Sequence, residues 1–306
     1  MPKLSARLRW SLSIALLLLF IILLERYIGW SRLLQPWLAV DKSLLTLMTA
    51  LVLISYAIRA VRLYVYFKAD IQRQFPLALK LMLQHNLANN FLPMRSGEVT
   101  FPMLMSRYFG VSLSRSMPAL LWFRMFDLHT MVVLALWALG TQWFGHLWVG
   151  PLALLWLALP WMLFVFNHWL LEHLHGQEHG RLTRLLVKLL QGAPADRGLF
   201  LKTWFWSLVN WLVKLLSFAW LLALFAQLSS AQALLGVIGG ELTSVLPIHG
   251  VAGAGTYEAG IVAGLIPSGV KAEMAVSAAV NLHLFLLGST LLGGLLSLAL
   301  GRRRVD

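Results

Sequence analysis

Two arginine–carboxylate pairs, each with its members three residues apart, stand where an apolar chain should carry no charge. Arg95 and Glu98 lie beside Pro93 in the run Asn90-Phe-Leu-Pro-Met-Arg-Ser-Gly-Glu98. A guanidinium fork at that break could hold a phosphate group, and the carboxylate could pair with it or carry a proton. The plainer alternative is that both residues only satisfy a loop in the headgroup zone; the irregular backbone favours function. Arg124 and Asp127 share one helix face by the same spacing. A buried intrahelical ion pair can clamp a helix in its bundle. That is the weightier reading for Asp127, whereas Arg124 could equally touch a substrate. Glu258 follows Gly253, Gly255, Thr256 and Tyr257. Glycines at that density allow close backbone approach and leave amides to face an anion. The acid itself could couple to a proton or cation. Lys214 could partner a phosphate, snorkel, or pair with an acid. Asn90 joins Asn86 and Asn89 as amides in the first break. His249 and Glu241 are weaker candidates, since each could simply sit at the membrane interface.

The elements that must position these residues are membrane helices. Hydrophobic residues make up 59% of the 306-residue chain and charged residues 12%, where soluble domains carry roughly 25% charged. Several apolar runs are about 20 residues long, the length that crosses hydrocarbon. No polar block is long enough for a separate soluble domain, so residues 1–306 read as one integral membrane domain. Cysteine is absent, which excludes disulfides, thiol catalysis and cysteine-ligated metal. The net charge of +13 would suggest nucleic acid in a soluble protein. In a membrane protein the positive-inside rule accounts for it, and no nucleic-acid partner is expected.

An all-α layout of six transmembrane helices and two broken hairpins follows. Lys3, Arg7 and Arg9 precede a first span over Trp10–Leu24. Glu25-Arg26-Tyr27 follows instead of a small-residue cleavage site, so this span reads as uncleaved. The second span covers Leu44–Phe67, with Arg59 and Arg62 placed to snorkel to cytosolic headgroups. Phe75–Phe109 is broken. Met117–Leu139 is the third span, and a short neutral turn over Gly140–His146 leads to the fourth, Leu147–Trp169. In the loop that follows, Arg181, Arg184 and Lys188 share one helical face and Leu182, Leu185, Leu186 and Leu189 the other. That pattern suits an interfacial helix on anionic lipid, or equally a soluble helix packed on the protein. Thr203–Leu228 is the fifth span, Ala231–Ile266 is again broken, and Ala275–Leu300 is the last. The Lys/Arg distribution puts both termini in the cytosol of a multi-pass inner-membrane protein. Irregular backbone survives in a bilayer only when buried in protein or lining a wet cavity. Both broken segments therefore read as re-entrant hairpins, the first entering from the cytosol and the second from outside.

The broken segments also resemble each other. Phe91-Leu92-Pro93 with Gly97-Glu98 matches Val245-Leu246-Pro247 with Gly250; Gly110-Val111 matches Gly269-Val270; Leu128-His129 matches Leu282-His283. The interval from Pro93 to His129 equals that from Pro247 to His283, although the glycine–valine pair shifts in register. Each half, about 1–140 and 147–300, reads span, span, broken segment, span. Three spans per half would invert the second repeat, and paired Gly/Pro-interrupted segments are the sequence pointer to a transporter's midplane site. Arg95, Glu98 and Glu258 are expected to face one cavity between the hairpins. Other polar residues read more plainly. His85, His129 and His283 suit satisfied interior histidines. His173, His175 and His179 with Glu172 and Glu178 fit a solvated loop better than a metal site, for no HExxH pattern is present. Tryptophans near the span ends are interface anchors.

The set of motifs resembles the lysylphosphatidylglycerol synthase transmembrane family, also called the flippase-like domain family. The residues that carry the resemblance are Asn90 to Glu98, Gly110-Val111 and Arg124-Met-Phe-Asp127, then Leu246-Pro247, Gly253-Ala-Gly-Thr-Tyr-Glu258 and Gly269-Val270. The resemblance spans most of the chain. It implies a protein that moves a lipid or lipid-linked sugar between leaflets. In the best-known members a cytosolic aminoacyl-transfer domain follows this region; none follows here, so translocation rather than lipid synthesis is expected. His249 interrupts the glycine-rich second motif. The leading expectation is a flippase for an anionic phospholipid or a polyprenyl-phosphate-linked glycan, without a cofactor. Arg95, Arg124 and Lys214 would hold the phosphate, Glu98 and Glu258 would gate or couple protons, and one half would rock against the other. The alternatives are an integral membrane lipid-modifying enzyme and a non-transporting accessory subunit of one. No nucleophile or metal-ligand cluster supports an enzyme.

Overall fold

The computed structural model describes residues 6–143, 146–174, 183, 187, 190–243 and 251–300; for 6–14 and 93–95, among others, it describes the backbone alone. The described residues form helices and no strand. Among the described residues, five helices are long and apolar enough to cross a membrane: α2 Lys42–Tyr66, α5 Leu113–Trp143, α6 His146–Leu174, α7 Arg197–Ala226 and α10 Ala272–Ala299. A further apolar helix, α1 Ala6–Tyr27, precedes them. The chain is an all-α polytopic membrane protein.

Both interruptions take the form the sequence suggests. α3 Phe75–Phe91 gives way to a 3-10 turn, Pro93–Val99, and α4 Thr100–Phe109 follows. Pro93 has no N–H to continue the ladder. Gly97 presses the turn onto the end of α3, where a Cβ would lie 2.4 Å from the Asn89 Cα and 2.5 Å from the Ala88 oxygen. α4 then folds back, and its Phe101 and Met105 share a buried core with Ala78, Leu81 and Met82 of α3. The second hairpin pairs α8 Ser230–Thr243 with α9 Thr256–Leu265. Here the two backbones touch: a Cβ on Gly239 would lie 2.2 Å from the Gly260 oxygen, and one on Gly264 2.3 Å from the Leu235 oxygen.

The repeated glycine–valine pair has a structural meaning. Gly110 and Gly269 take left-handed φ of 69° and 88°, which caps the preceding helix. The valine amide then turns back, from Val111 to Met105 O at 3.3 Å and from Val270 to Leu265 O at 3.4 Å. Both valines are buried. A left-handed position favours glycine and the next residue closes over the helix end, so this part of the repeat is a helix stop rather than a binding motif.

The chain divides into two compact units that interleave along the sequence. The first comprises Met1–Ile54, Leu83–Glu98 and Val213–Leu296; the second comprises Ser55–Met82, Val99–Leu212 and Ser297–Asp306. In the first, Asn281 of α10 accepts from Trp37 Nε1 at 2.6 Å and donates to Leu33 O at 2.7 Å. Phe218 and Phe285 meet edge to face there. In the second, Leu63, Phe67, Leu81, Phe101, Met105 and Phe123 form the larger core. Trp122, Phe126 and Phe200 form another, faced by Trp161, Phe164 and Trp204. His129 pins α5 to α6: its ring stacks on Trp156 and Nε2 meets Trp156 O at 2.7 Å. It is an interior histidine, as expected, but only half satisfied: Nε2 is bonded while the buried Nδ1 has no hydrogen-bond partner among the described residues.

Span boundaries differ in detail. α5 continues through Gly140 to Trp143, where a turn is expected from sequence. A glycine there lets α6 approach, since a Cβ on Gly140 would lie 2.5 Å from Val149 Cγ2. The amphipathic stretch Arg181–Leu189 lies outside the described residues except at 183 and 187.

Candidate functional site

The second unit holds a buried ionic cluster built from pairs spaced one turn apart. Arg59 and Arg62 come from α2, and Arg124 and Asp127 from α5. Arg62 grips Asp127 with both guanidinium nitrogens: Nη1 donates to Oδ1 at 2.5 Å and Nη2 to Oδ2 at 3.4 Å. Arg124 Nη1 donates to the same Oδ2 at 3.4 Å. Arg62 also donates to the Ser207 hydroxyl of α7. Aromatic faces cover the remaining guanidinium surface, with Phe123 4.7 Å from Arg62 and Trp211 5.8 Å from Arg59. Arg62 and Asp127 are 3% and 2% exposed, and Arg59 8%. Withdrawing such charges from water costs several kcal/mol per ion, offset only by good geometry and further hydrogen bonds. For Arg62 and Asp127 the bidentate grip and the serine supply both. Arg124 differs: its side chain is 23% exposed, so this arm of the cluster is reachable from outside.

Arg59 and Arg62 correct the sequence reading. They do not snorkel. The face of α2 that carries them turns toward the Asp127 carboxylate, and a buried counter-ion replaces the headgroups. The signal was present as two i,i+3 charged pairs in neighbouring spans, but no sequence rule says that those faces meet.

The first unit holds a second buried polar group. Lys214 of α7 donates to Glu241 Oε2 of α8 at 2.7 Å. Tyr257 of α9 donates its hydroxyl to Glu241 Oε1 at 3.2 Å. The Tyr257 ring packs 4.7 Å from the imidazole of His283 on α10. His283 Nδ1 meets Glu258 Oε1 at 2.7 Å, and Glu258 Oε2 accepts the Gly255 amide at 2.8 Å. All five side chains are buried. Lys214 therefore takes the acid-paired form among its alternatives. Glu241 is buried and paired with Lys214, and His283 is more than a satisfied core histidine, since it bonds to an acid.

The remaining sequence candidates distribute as follows. Asn90 donates to Thr290 Oγ1 at 2.8 Å inside the first unit. Glu98 closes the 3-10 turn half-buried. The Arg95 side chain and all of His249 lie outside the described residues, and so do His175, Glu178 and His179. The described residues contain no group of three metal-ligating side chains. A 560 Å³ open pocket in the second unit is lined by Tyr66, Ser114, Arg115, Pro118, Gln191, Gly192, Ala193, Ala195 and Leu199. It includes none of the buried charges.

Two broken hairpins, five apolar spans and ionic groups buried within them define a multi-pass membrane protein whose polar chemistry is internal. The chain belongs to the family described as the lysylphosphatidylglycerol synthase TM region, whose model matches residues 10–294. It is thus related to membrane proteins of lipid modification or translocation. Neither the curated proteins nor the solved structures give a significant match.

Proposed function

We propose that the chain is a lipid translocase that carries an anionic phospholipid or a polyprenyl-phosphate-linked glycan between leaflets, and is not itself an enzyme. One observation carries the reading: the Arg59–Arg62–Arg124 group around Asp127 is buried among spans yet reachable at Arg124. Buried ionisable groups in a bilayer are costly and mark pathways by default. Guanidinium forks bind phosphate as they bind carboxylate. In the resting state Asp127 occupies the forks. An arriving phosphate displaces Arg124 from the carboxylate first, because Arg124 makes a single 3.4 Å contact and is the more exposed side chain, while Arg62 holds Asp127 in place by two. The headgroup crosses through protein and the tails stay in lipid. Broken hairpins in both halves of the chain support the same reading, as does the family.

The test uses purified full-length protein in vesicles of phosphatidylethanolamine and phosphatidylglycerol with a trace of NBD-phosphatidylglycerol. Dithionite reads how fast the probe changes leaflet; NBD-phosphatidylcholine is the control without net charge, and a labelled polyprenyl phosphate is the third arm. Faster movement of either anionic probe than in protein-free vesicles, lost in Arg124→Gln, is expected. A charge-assisted hydrogen bond contributes about 1.5–3 kcal/mol, so the loss should be roughly ten- to hundredfold. No acceleration of either anionic probe refutes the proposal.

A further inference from the structure

Glu258 and His283 take no part in holding a phosphate, and their surroundings point elsewhere. Glu258 is the third residue of α9, and its bond to the Gly255 amide is the cap that a glutamate makes at that place. A capping glutamate ordinarily faces water. This one is 5% exposed, and its other oxygen meets the Nδ1 of an imidazole that is 4% exposed and belongs to a different helix. Two titratable groups thus share one hydrogen bond inside a membrane protein, where an unmatched charge is costly.

Among the described residues, the neighbouring groups leave that pair with a charge set by protons alone. Lys214 stands against Glu241 at 2.7 Å. Tyr257 lies against the imidazole and donates its hydroxyl to Glu241; a phenol is ordinarily neutral below about pH 10. Further along α10, Thr290 takes the Asn90 amide, which is uncharged. The lysine and Glu241 cancel. Glu258 and His283 then carry net zero with one proton shared between them and minus one without it. The 2.7 Å bond between them lets that proton sit on either the carboxylate or the imidazole.

We infer that Glu258 and His283 form a proton-binding site that couples lipid movement to a proton gradient; this rests on the translocase reading. One proton enters the pair from the aqueous side to which it is open and leaves to the other side. Its charge offsets one negative charge of the headgroup moved in the same cycle. The hairpin that carries Glu258 responds as a body, because α8 and α9 are in backbone contact at Gly239, Gly260 and Gly264. The bond to His283 joins that hairpin to α10, so gain or loss of the proton changes the ionic contact between them.

Two measurements on the full chain test this. The first is a pH series of infrared difference spectra in nanodiscs, with ¹⁵N-histidine resonances in parallel. A protonated-carboxyl band that changes across the pH series, vanishes in Glu258→Gln and moves in His283→Gln is expected. Glutamine keeps the cap to Gly255, and a matching gel-filtration profile checks the fold. Absence of titration at both residues overturns the inference whether or not lipid moves. The second measurement repeats the NBD-phosphatidylglycerol assay with one pH unit across the vesicle membrane and the potential clamped. That gradient is a tenfold ratio of proton activity, so acceleration of up to about tenfold is expected, abolished by a protonophore and absent in both glutamine variants. Lipid movement indifferent to the gradient overturns the coupling and leaves the translocase reading intact. A titrating pair without lipid movement overturns the coupling along with the translocase reading, leaving the protonation chemistry as a separate result.

Discussion

Asp127→Asn should be the most damaging isosteric change in the second unit. The carboxylate accepts two bonds from Arg62 and one from Arg124, and the Arg62 and Asp127 side chains are 4% and 3% exposed. Asparagine keeps the shape but removes the charge, and it turns an amide N–H₂ toward one guanidinium. Breaking a buried pair by removing one partner costs about 3–5 kcal/mol, because the surviving charge stays buried. Two arginines lose their acceptor here, which puts the expectation at the upper end of that range. Reversible unfolding in mixed micelles, followed by tryptophan fluorescence, measures it. The double variant Arg62→Met with Asp127→Asn removes the stranded guanidinium and should regain at least half of the loss, since apolar replacement of a whole buried pair is often neutral. A double-mutant cycle with a coupling below about 0.5 kcal/mol, the value for independent sites, would refute the view that this pair holds α2 to α5.

The lysine–acid pair of the first unit should behave alike: Lys214→Met alone costs about 3–5 kcal/mol, and Lys214→Met with Glu241→Leu much less, in the same unfolding assay. Gly260→Val should abolish the folded protein, measured as loss of the monodisperse peak, because its side chain would meet the Gly239 oxygen at 2.4 Å; Gly288→Ala, with nothing within 4 Å, should leave that peak unchanged. Asp41 caps α2 from just before its spanning segment: its side chain takes the Ser43 hydroxyl and the amides of Ser43 and Leu44. Those bonds, the Ser43 hydroxyl above all, hold its carboxyl below the ordinary value of 3.8. A depressed carboxyl stabilises above the ordinary carboxylate range and loses that contribution as pH falls through its lowered value. The Ser43 and Leu44 amide resonances should therefore stay constant through ordinary carboxylate titration and move only at lower pH. Movement at or above the ordinary range, or none in Asp41→Asn relative to wild type, counts against the cap.

The two hairpins were legible because their determinants are local. Pro93 forbids helix continuation, Gly97 and the Gly239–Gly264 series permit close backbone approach, and Gly110 and Gly269 take a conformation that other residues avoid. Each is a property of one residue and its immediate neighbours. The Arg124–Asp127 pair was legible for the same reason, being one turn of one helix. Partners on other helices were not. Arg62 and Asp127 are 65 residues apart in sequence, Lys214 and Glu241 27, and Glu258 and His283 25.

By itself, then, the sequence determined the class, five of the six spans read from it, the two breaks, the family and a short roster of charged residues. Hydrophobic length and the local chemistry of proline and glycine suffice for that, and they act without regard to the rest of the chain. Only the tertiary structure decided which charge neutralises which. It turned Arg59 and Arg62 inward, assigned Lys214 to Glu241, and made a hydrogen-bonded pair of Glu258 and a histidine that read as core. Those choices depend on the rotation of each helix about its own axis. Packing against neighbours sets that rotation, and a periodicity of apolar residues on every side of a membrane helix does not reveal it.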